Sequence, residues 1–320
     1  MINLPELQKF LVHLHAKHRS NRDGEVATYI PELGKADPEH FGISLVTVDG
    51  QEFSIGDSQQ EFTIQSICKP LAFLMALGQH GRDKTLAHVG IEPSGDAFNS
   101  VELCPNTRRP FNAMVNAGAI SVASLIKGVS PAAGETEFLR VLSQAAGRPL
   151  KIDEAVRASE AATGNRNRAI AYLLRNFDVI DAEVDHTLHQ YFSQCSVLVN
   201  SRDLAMIGAT LANIGSNPYT DEEVFEAGCV RDALSTMFTC GMYDFAGEWA
   251  FRVGVPAKSG VAGGILAVVN RQMGIAVYSP RLDARGNSVR GIQVCADLSE
   301  EFGLHAFDFT QFGSNLLRAL

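Results

Sequence analysis

The amino-acid sequence predicts an α+β protein, in which an antiparallel sheet flanked by helices adjoins a central all-helical subdomain. Strand-like segments from Gly42 to Val48 and from Gln51 to Ile55 flank Asp49-Gly50, a strong hairpin signal. Helical periodicity then dominates from Ser66 to about Tyr243, and strand-like segments return after it. The sheet is therefore expected to combine strands from both ends of the chain.

The remaining elements follow from apolar spacing. An amphipathic helix is predicted from Leu4 to His18. A strand is predicted from Ala250 to Ala257, then a hairpin that joins Gly263–Asn270 to Gly274–Ser279, and helices from Arg290 to Leu298 and from His305 to Ala319. The central helices are expected at Asn116–Lys127, Gly134–Gly147, Asp153–Ala162, Arg166–Phe177, Asp181–Ser196, Arg202–Ile214 and Arg231–Thr239.

No long linker separates these segments, so we expect one structural unit, 1–320. Its sandwich part comprises 1–65 plus 244–320, and its helical part comprises 66–243.

Composition excludes several classes of partner. The chain of 320 residues is 46% hydrophobic and 20% charged, which is typical of a globular protein, and its formal net charge is −9. An acidic chain without a long basic run favours neither nucleic acid nor an anionic membrane surface. No apolar run reaches the roughly 18 residues of a membrane span, and the first residues do not resemble a signal peptide, so we expect a cytoplasmic protein.

Cysteine and histidine spacing predicts no cofactor and no metal site. The six cysteines are scattered without a Cys-x-x-Cys pair, which is typical of reduced thiols in a cytoplasmic protein. The histidines lack the ligand spacing of a zinc site.

The segment around Ser66 carries the first chemical signal. Ser66 and Lys69 are three residues apart, on one face of a predicted helix for which Thr63 is a plausible N-cap. A lysine amine in this position can accept the serine proton and activate the oxygen as a nucleophile. The pair alone is weak evidence, but it opens an apolar helix, and Lys258-Ser259-Gly260 follows later. The two motifs together resemble those of serine β-lactamases and penicillin-binding proteins.

Further motifs make the resemblance more specific, and from about Tyr29 to Gly291 the chain resembles the serine-dependent glutaminase family. This resemblance implies a β-lactamase/DD-peptidase-like fold, hydrolysis of glutamine to glutamate and ammonia, and a homotetramer or homodimer. The motifs are Asn116-Ala117-Gly118-Ala119-Ile120, Ser159-Glu160, Gly164-Asn165-Arg166-Asn167, Tyr191-Phe192-Ser193-Gln194-Cys195-Ser196, Gly241-Met242-Tyr243-Asp244, Pro256 to Gly264 and Gly286 to Gly291.

The resemblance also implies roles for single residues. Ser66 would be the nucleophile, Lys69 its proton partner, and Tyr243 a proton relay beside them. The amide N–H groups of Val261 and Ser66 would form the oxyanion hole. The substrate's α-amino, α-carboxylate and side-chain groups would be held by Tyr29, Asn116, Glu160, Asn167 and Tyr191. Asn165 and Ala113 depart from the family's usual Asp and Pro, which affects only local loop geometry.

The physical chemistry of amino-acid binding supports these roles. A buried zwitterion needs partners of both signs or several hydrogen bonds, and Glu160 can pair with an ammonium. Lys258 and Gly260 are expected to support the site, Gly260 by permitting close backbone approach. The alternatives are a β-lactamase, DD-peptidase or esterase on the same fold, and a sensor of amino acids or β-lactams that does not turn over.

Overall fold

A five-stranded antiparallel sheet forms the centre of the computed structural model, which describes residues 4–95, 99–126, 131–181 and 183–308. Its strands are β1 Gly42–Thr47, β2 Glu52–Gly56, β6 Ala257–Gly260, β7 Gly264–Val269 and β8 Met273–Tyr278. Their order in the sheet is β2-β1-β8-β7-β6, so the β1–β2 hairpin pairs directly with strands from the other end of the chain. This arrangement confirms the predicted sheet.

A second, three-stranded sheet was not predicted, because its strands are too short to show alternation. Its order is β3-β5-β4, and it joins the segment before Ser66 to the helical region. The strands are β3 Phe62–Thr63, β4 Lys151–Ile152 and β5 Val197–Val199.

Twelve α-helices occur in the described ranges, and most match the predicted segments within a few residues. Several begin at side-chain caps, such as Asp153, which accepts hydrogen bonds from two backbone amides, and Asn200, which forms a capping box with Asp203. The helices are α1 Leu4–His18, α2 Cys68–His80, α3 Arg82–His88, α4 Asn116–Leu125, α5 Pro131–Ala146, α6 Glu154–Thr163, α7 Asn165–Asn176, α8 Val184–Cys195, α9 Ser201–Ala212, α10 Ala227–Cys240, α11 Ala246–Arg252 and α12 Val289–Phe302.

Helices cover both faces of the central sheet. On one face, α1, α11 and α12 form an apolar cluster around the fully buried Trp249. On the other face, α9 packs directly on β1, β7 and β8. This approach requires two glycines, since a Cβ at Gly208 would lie 2.8 Å from Gly274 Cα. The sheet is thereby fixed against the helical region.

Helix α2 is the central helix of that region. Its residues from Cys68 to Leu77 are all buried, and it packs against α4 and α10. Helix α8 in turn contacts α4, α5, α6 and α7. None of the helices within the described ranges is long and apolar enough to cross a membrane.

Three local predictions are wrong. Thr63 is not an N-cap, because it lies in β3 and pairs with Leu198 of β5. Helix α2 begins only at Cys68, after a 3-10 turn. The predicted strand from Ala250 to Ala257 is wrong except at its last residue. Ala250 to Arg252 complete α11, whose apolar residues mimic a strand pattern, and β6 begins only at Ala257. The predicted helix from His305 to Ala319 fails over its first four residues, which form a turn, while 309–319 lie outside the described residues.

We predict that Gly260→Ala destabilises the protein by about 1–3 kcal/mol, the usual cost of overpacking a core. A Cβ at Gly260 would lie 2.9 Å from the carbonyl oxygen of Ile64 and 3.3 Å from Gln65 Cβ, so β6 could not pass the Ser66 turn unchanged. The measurement is the free energy of unfolding in denaturant.

Gly78→Ala is the matched control. Gly78 lies in α2, and a Cβ added there would have nothing within 4 Å, so alanine should stabilise the helix by about 0.5–1 kcal/mol. Equal stability of the Gly260 variant and the wild type would contradict the proposed close approach.

Candidate active site

Ser66 lies in the 3-10 turn Gln65–Ile67, between β3 and α2, and is 6% exposed. The preceding residue, Gln65, has a φ of 50°, in the left-handed region that non-glycine residues rarely adopt. Strand β6 runs beside this turn. The serine is therefore held by a strained turn, packed between strand and helix, as is common at functional sites.

Lys69 is the second residue of α2 and is almost completely buried. Its Nζ donates to Asn116 Oδ1 at 2.6 Å and to the carbonyl of Met114 at 3.3 Å. Burial lowers the pKa of Lys69 to about 8. An amine with this pKa is partly neutral near pH 7 and can accept a proton.

Tyr243 approaches Ser66 from the other side. Its hydroxyl donates to the carbonyl of Ser259 at 3.1 Å, and the nearby Ser66 hydroxyl acts on its pKa in the lowering direction. Its φ of 59° is also left-handed, so a second strained residue faces the serine. Burial raises the pKa of Tyr243 to about 12, which keeps the phenol protonated at neutral pH.

Lys258 lies behind Tyr243. Its Nζ is 4.0 Å from the centroid of the Tyr243 ring and donates to the carbonyl of Ser259 at 2.9 Å. Burial, followed by the charge of Lys69, holds the pKa of Lys258 well below its usual range. Lys258 and Gly260 thus lie in the wall behind Ser66 and Tyr243.

A cavity of about 290 Å³ opens over Ser66. Every predicted substrate-binding residue except Tyr243 contributes to its lining, although these residues come from distant parts of the sequence. They are Tyr29, Ser66, Asn116, Glu160, Asn167, Tyr191 and Val261. Tyr243 reaches Ser66 from outside this lining.

Glu160 projects from α6 into the cavity and is 5% exposed. Its Oε1 accepts a hydrogen bond of 2.7 Å from Gln65 Nε2. Burial raises the pKa of Glu160 to about 7, against the opposing effects of the Gln65 hydrogen bond and the Lys69 charge. A buried carboxylate of this kind gains most when a cation enters the cavity.

Two amide side chains connect Lys69 to the opposite wall. Asn116 accepts from Lys69 through Oδ1, and its Nδ2 donates to Asn167 Oδ1 at 3.0 Å. Asn116 begins α4, and Asn167 lies in the first turn of α7. The side chains of Lys69, Asn116 and Asn167 therefore form one hydrogen-bonded network.

Sequence reasoning missed several lining residues, notably Gln65, Arg166 and Cys195. Gln65 is a polar residue inside an apolar run, and Arg166 and Cys195 lie inside motifs that were already recognised. The adjacency of Gln65 to Ser66 was a usable signal. Among the residues that the structure describes, no group of three or more His, Cys, Asp or Glu side chains could hold a metal ion.

Comparison with known proteins places these observations in a family. A family model described as Glutaminase matches residues 24–307. A glutaminase of Trichormus variabilis is 54% identical over 295 residues, which cover 92% of this chain and 88% of that protein. A glutaminase of Nostoc sp. is 52% identical over 308 residues, covering 96% of this chain and 92% of that protein.

Solved structures agree with this assignment. A probable glutaminase, ybaS, matches with a TM-score of 0.93 and 37% identity, over 96% of this chain and 99% of that chain. Bacillus subtilis glutaminase YbgJ, in covalent complex with 5-oxo-L-norleucine, matches with a TM-score of 0.84 and 35% identity, over 94% of this chain and 99% of that chain. The predicted β-lactamase-like fold is thereby confirmed. The chain belongs to the glutaminase family and is a hydrolase that converts glutamine to glutamate and ammonia.

Proposed function

We propose that this enzyme hydrolyses L-glutamine through a γ-glutamyl ester on Ser66. The observation that carries the proposal is a buried serine at a cavity, close to the Tyr243 phenol and three residues before a buried lysine of lowered pKa. Ser66 Oγ attacks the γ-carbonyl carbon, the tetrahedral intermediate collapses, and ammonia leaves with an added proton. Water then cleaves the ester to release glutamate and restore the Ser66 hydroxyl.

Lys69 is the proposed proton acceptor and Tyr243 the relay. With a pKa of about 8, Lys69 is neutral in about a tenth of the molecules at pH 7. Tyr243, with a pKa of about 12, stays a phenol and can both receive and donate a proton at the Ser66 oxygen. These pKa values support different roles for the two groups: near neutral pH Lys69 can be charged or neutral, whereas Tyr243 stays neutral.

Substrate recognition follows from the charges of the cavity. Glu160 is the proposed partner of the α-ammonium, and the Asn116, Asn167, Tyr29 and Tyr191 side chains bind the remaining polar groups of glutamine. The backbone N–H groups of Ser66 and Val261 would form the oxyanion hole, a role supported by the position of Val261 in the cavity wall.

The proposal also covers the location, the oligomeric state and the cofactor requirement of the enzyme. We propose a cytoplasmic homotetramer or homodimer that needs no cofactor. We also propose a division into a sandwich part, 1–65 plus 244–320, and a helical part, 66–243. The apolar cluster around Trp249 lies within the sandwich part except for Met242, whereas the larger apolar cluster spans both parts. Light scattering on the purified chain would give the mass of the assembly.

We predict that 6-diazo-5-oxo-L-norleucine, a glutamine analogue, labels Ser66. Such labelling is supported by YbgJ, which forms a covalent complex by reaction with this compound. Peptide mass mapping locates the adduct, and Ser66→Ala should abolish both labelling and sustained ammonia release.

Cys195 provides a sharp alternative outcome, since its side chain lines the same cavity. Label confined to Cys195, with Ser66→Ala still active, would overturn the scheme. A chromogenic cephalosporin in the same assay tests the β-lactamase alternative, and a single burst of ammonia would indicate a sensor.

We predict that kcat/KM rises at least about tenfold from pH 6 to pH 8, because the active form needs a base without its proton. Glu160, with a pKa of about 7, becomes ionised as pH rises, and Lys69, with a pKa of about 8, becomes neutral. Both changes favour catalysis in the same direction. A profile that is flat over this range would contradict the assignment of Lys69 as the base.

We predict that Glu160→Gln lowers kcat/KM for glutamine at least about tenfold, or roughly 1.4 kcal/mol, by removing the charge that pairs with the ammonium. The new amide can still hydrogen bond with Gln65, so the turn should persist. Reaction of Ser66 with a small activated ester that lacks an amino group should survive.

Glu154→Gln on the same helix is the matched control, because the Glu154 side chain is 66% exposed and pairs with Arg157 instead. Equal loss of glutamine and ester reactions in Glu160→Gln would indicate structural damage and refute the ammonium role.

A further inference from the structure

Two thiols meet behind the cavity. Cys68 Sγ and Cys195 Sγ are 3.9 Å apart, and both residues are buried. Cys68 is the first residue of α2, two positions after Ser66, and Cys195 is the last residue of α8. Since Cys195 is also one of the residues that line the cavity, a small molecule that enters there comes close to this pair.

We propose that Cys68 and Cys195 are a modification site, at which a peroxide that enters the cavity produces a reversible disulfide that inhibits the enzyme. The Cys195 thiolate attacks one peroxide oxygen and becomes a sulfenic acid, while the other oxygen leaves as water or alcohol. The Cys68 thiol then displaces hydroxide from the Cys195 sulfur, forming the S–S bond and a water. The pair loses two electrons in total, and the peroxide gains them.

The burial of Cys195 favours slow oxidation by a small reagent. Its hydrogen bond with Cys68 and its burial hold the pKa of the Cys195 thiol well above its usual range, although the nearby Lys69 charge acts in the opposite direction. The thiolate is therefore scarce at neutral pH, and its oxidation should be slow. Hydrogen peroxide is small enough to enter a cavity of about 290 Å³.

Closing the bond must disturb the site. A disulfide has a sulfur–sulfur distance of about 2.05 Å, so the two sulfurs have to approach each other by nearly 2 Å. Cys195 also acts on the pKa of Tyr191, which lies one turn earlier on α8, so its sulfur is close to that phenol. Moving the sulfur towards α2 draws the end of α8, with Tyr191, towards the Ser66 turn.

The consequence for activity rests on the proposed glutamine site. A displacement of about 1 Å in a positioning group can cost on the order of 100-fold in rate. Because Ser66 and Tyr191 lie on the two segments that the disulfide would join, oxidation should lower kcat through Ser66 and raise KM through Tyr191.

The experiment treats the full-length enzyme with hydrogen peroxide and follows two readouts. Peptide mapping without reductant should reveal a linked pair containing Cys68 and Cys195, lighter by two hydrogen atoms than the separate peptides. Activity should fall at least about tenfold and return with dithiothreitol. Saturating L-glutamate, which would occupy the cavity, should slow both changes.

Variants separate this site from other cysteines. Cys68→Ser should start with activity within about twofold of the wild type and lose the reversible inhibition. Cys295→Ser is the matched control, because Cys295 is equally buried but lies in the cluster on the other face of the sheet, so its variant should remain sensitive.

Three results would overturn the proposal. They are absence of the linked peptide after the more exposed Cys104 and Cys229 are fully oxidised, a linked peptide without loss of activity, and reversible inhibition that persists in Cys68→Ser. The peptide map is independent of the catalytic scheme. If Ser66 proves not to be the nucleophile, the disulfide itself still stands or falls on the mapping.

Discussion

The left-handed backbone of Gln65 is the constraint on which the rest of the site depends. It turns the chain out of β3 so that Ser66 enters the cavity, and the Gln65 side chain turns back to Glu160. A non-glycine residue in this conformation costs about 1–3 kcal/mol. The fully buried Ile64 and Ile67, on either side of the turn, offset that cost through packing. One backbone turn thus sets the distance between Ser66, the proposed nucleophile, and Glu160, the proposed partner of the substrate's ammonium.

A second strained turn completes the constraint from the sandwich side. Tyr243 also has a left-handed backbone, and its hydroxyl, close to Ser66, donates to the carbonyl of Ser259 in β6. The same carbonyl accepts a hydrogen bond from Lys258, so the edge strand fixes both groups. Ser66, the proposed nucleophile, is held between two segments that are almost 180 residues apart in sequence. Its geometry therefore depends on how the sheet packs against the helical region.

Much of this architecture was predictable, for identifiable reasons. Helix α1 matches its prediction from Leu4 to His18, because its apolar positions repeat at helical spacing. The hairpin at Asp49-Gly50 followed from turn chemistry, and Gly50 adopts the expected positive φ. The site residues were identified by resemblance, and their convergence on one cavity adds geometric support to that prediction.

The parts that were missed depend on tertiary structure. Threonine is a residue type that often caps helices, but Thr63 pairs with Leu198 and therefore lies in a strand. The role of Gln65 depends on its φ and on Glu160, 95 positions away, and neither is visible in local sequence. The Cys68–Cys195 contact likewise joins the ends of two helices that only the fold brings together. Local pattern predicts elements well, whereas strain and distant polar contacts require coordinates.

The electrostatics of Lys69 and Glu160 connect binding to catalysis. Before substrate binds, the two groups stabilise each other's charged forms: the charge of Glu160 raises the pKa of Lys69, and the charge of Lys69 lowers that of Glu160. The ammonium proposed to pair with Glu160 brings a positive charge that offsets the effect of the carboxylate on Lys69. This change disfavours the protonated lysine. Substrate binding should therefore release the base at the moment when it is needed, and a ligand without the ammonium would leave Lys69 more often protonated.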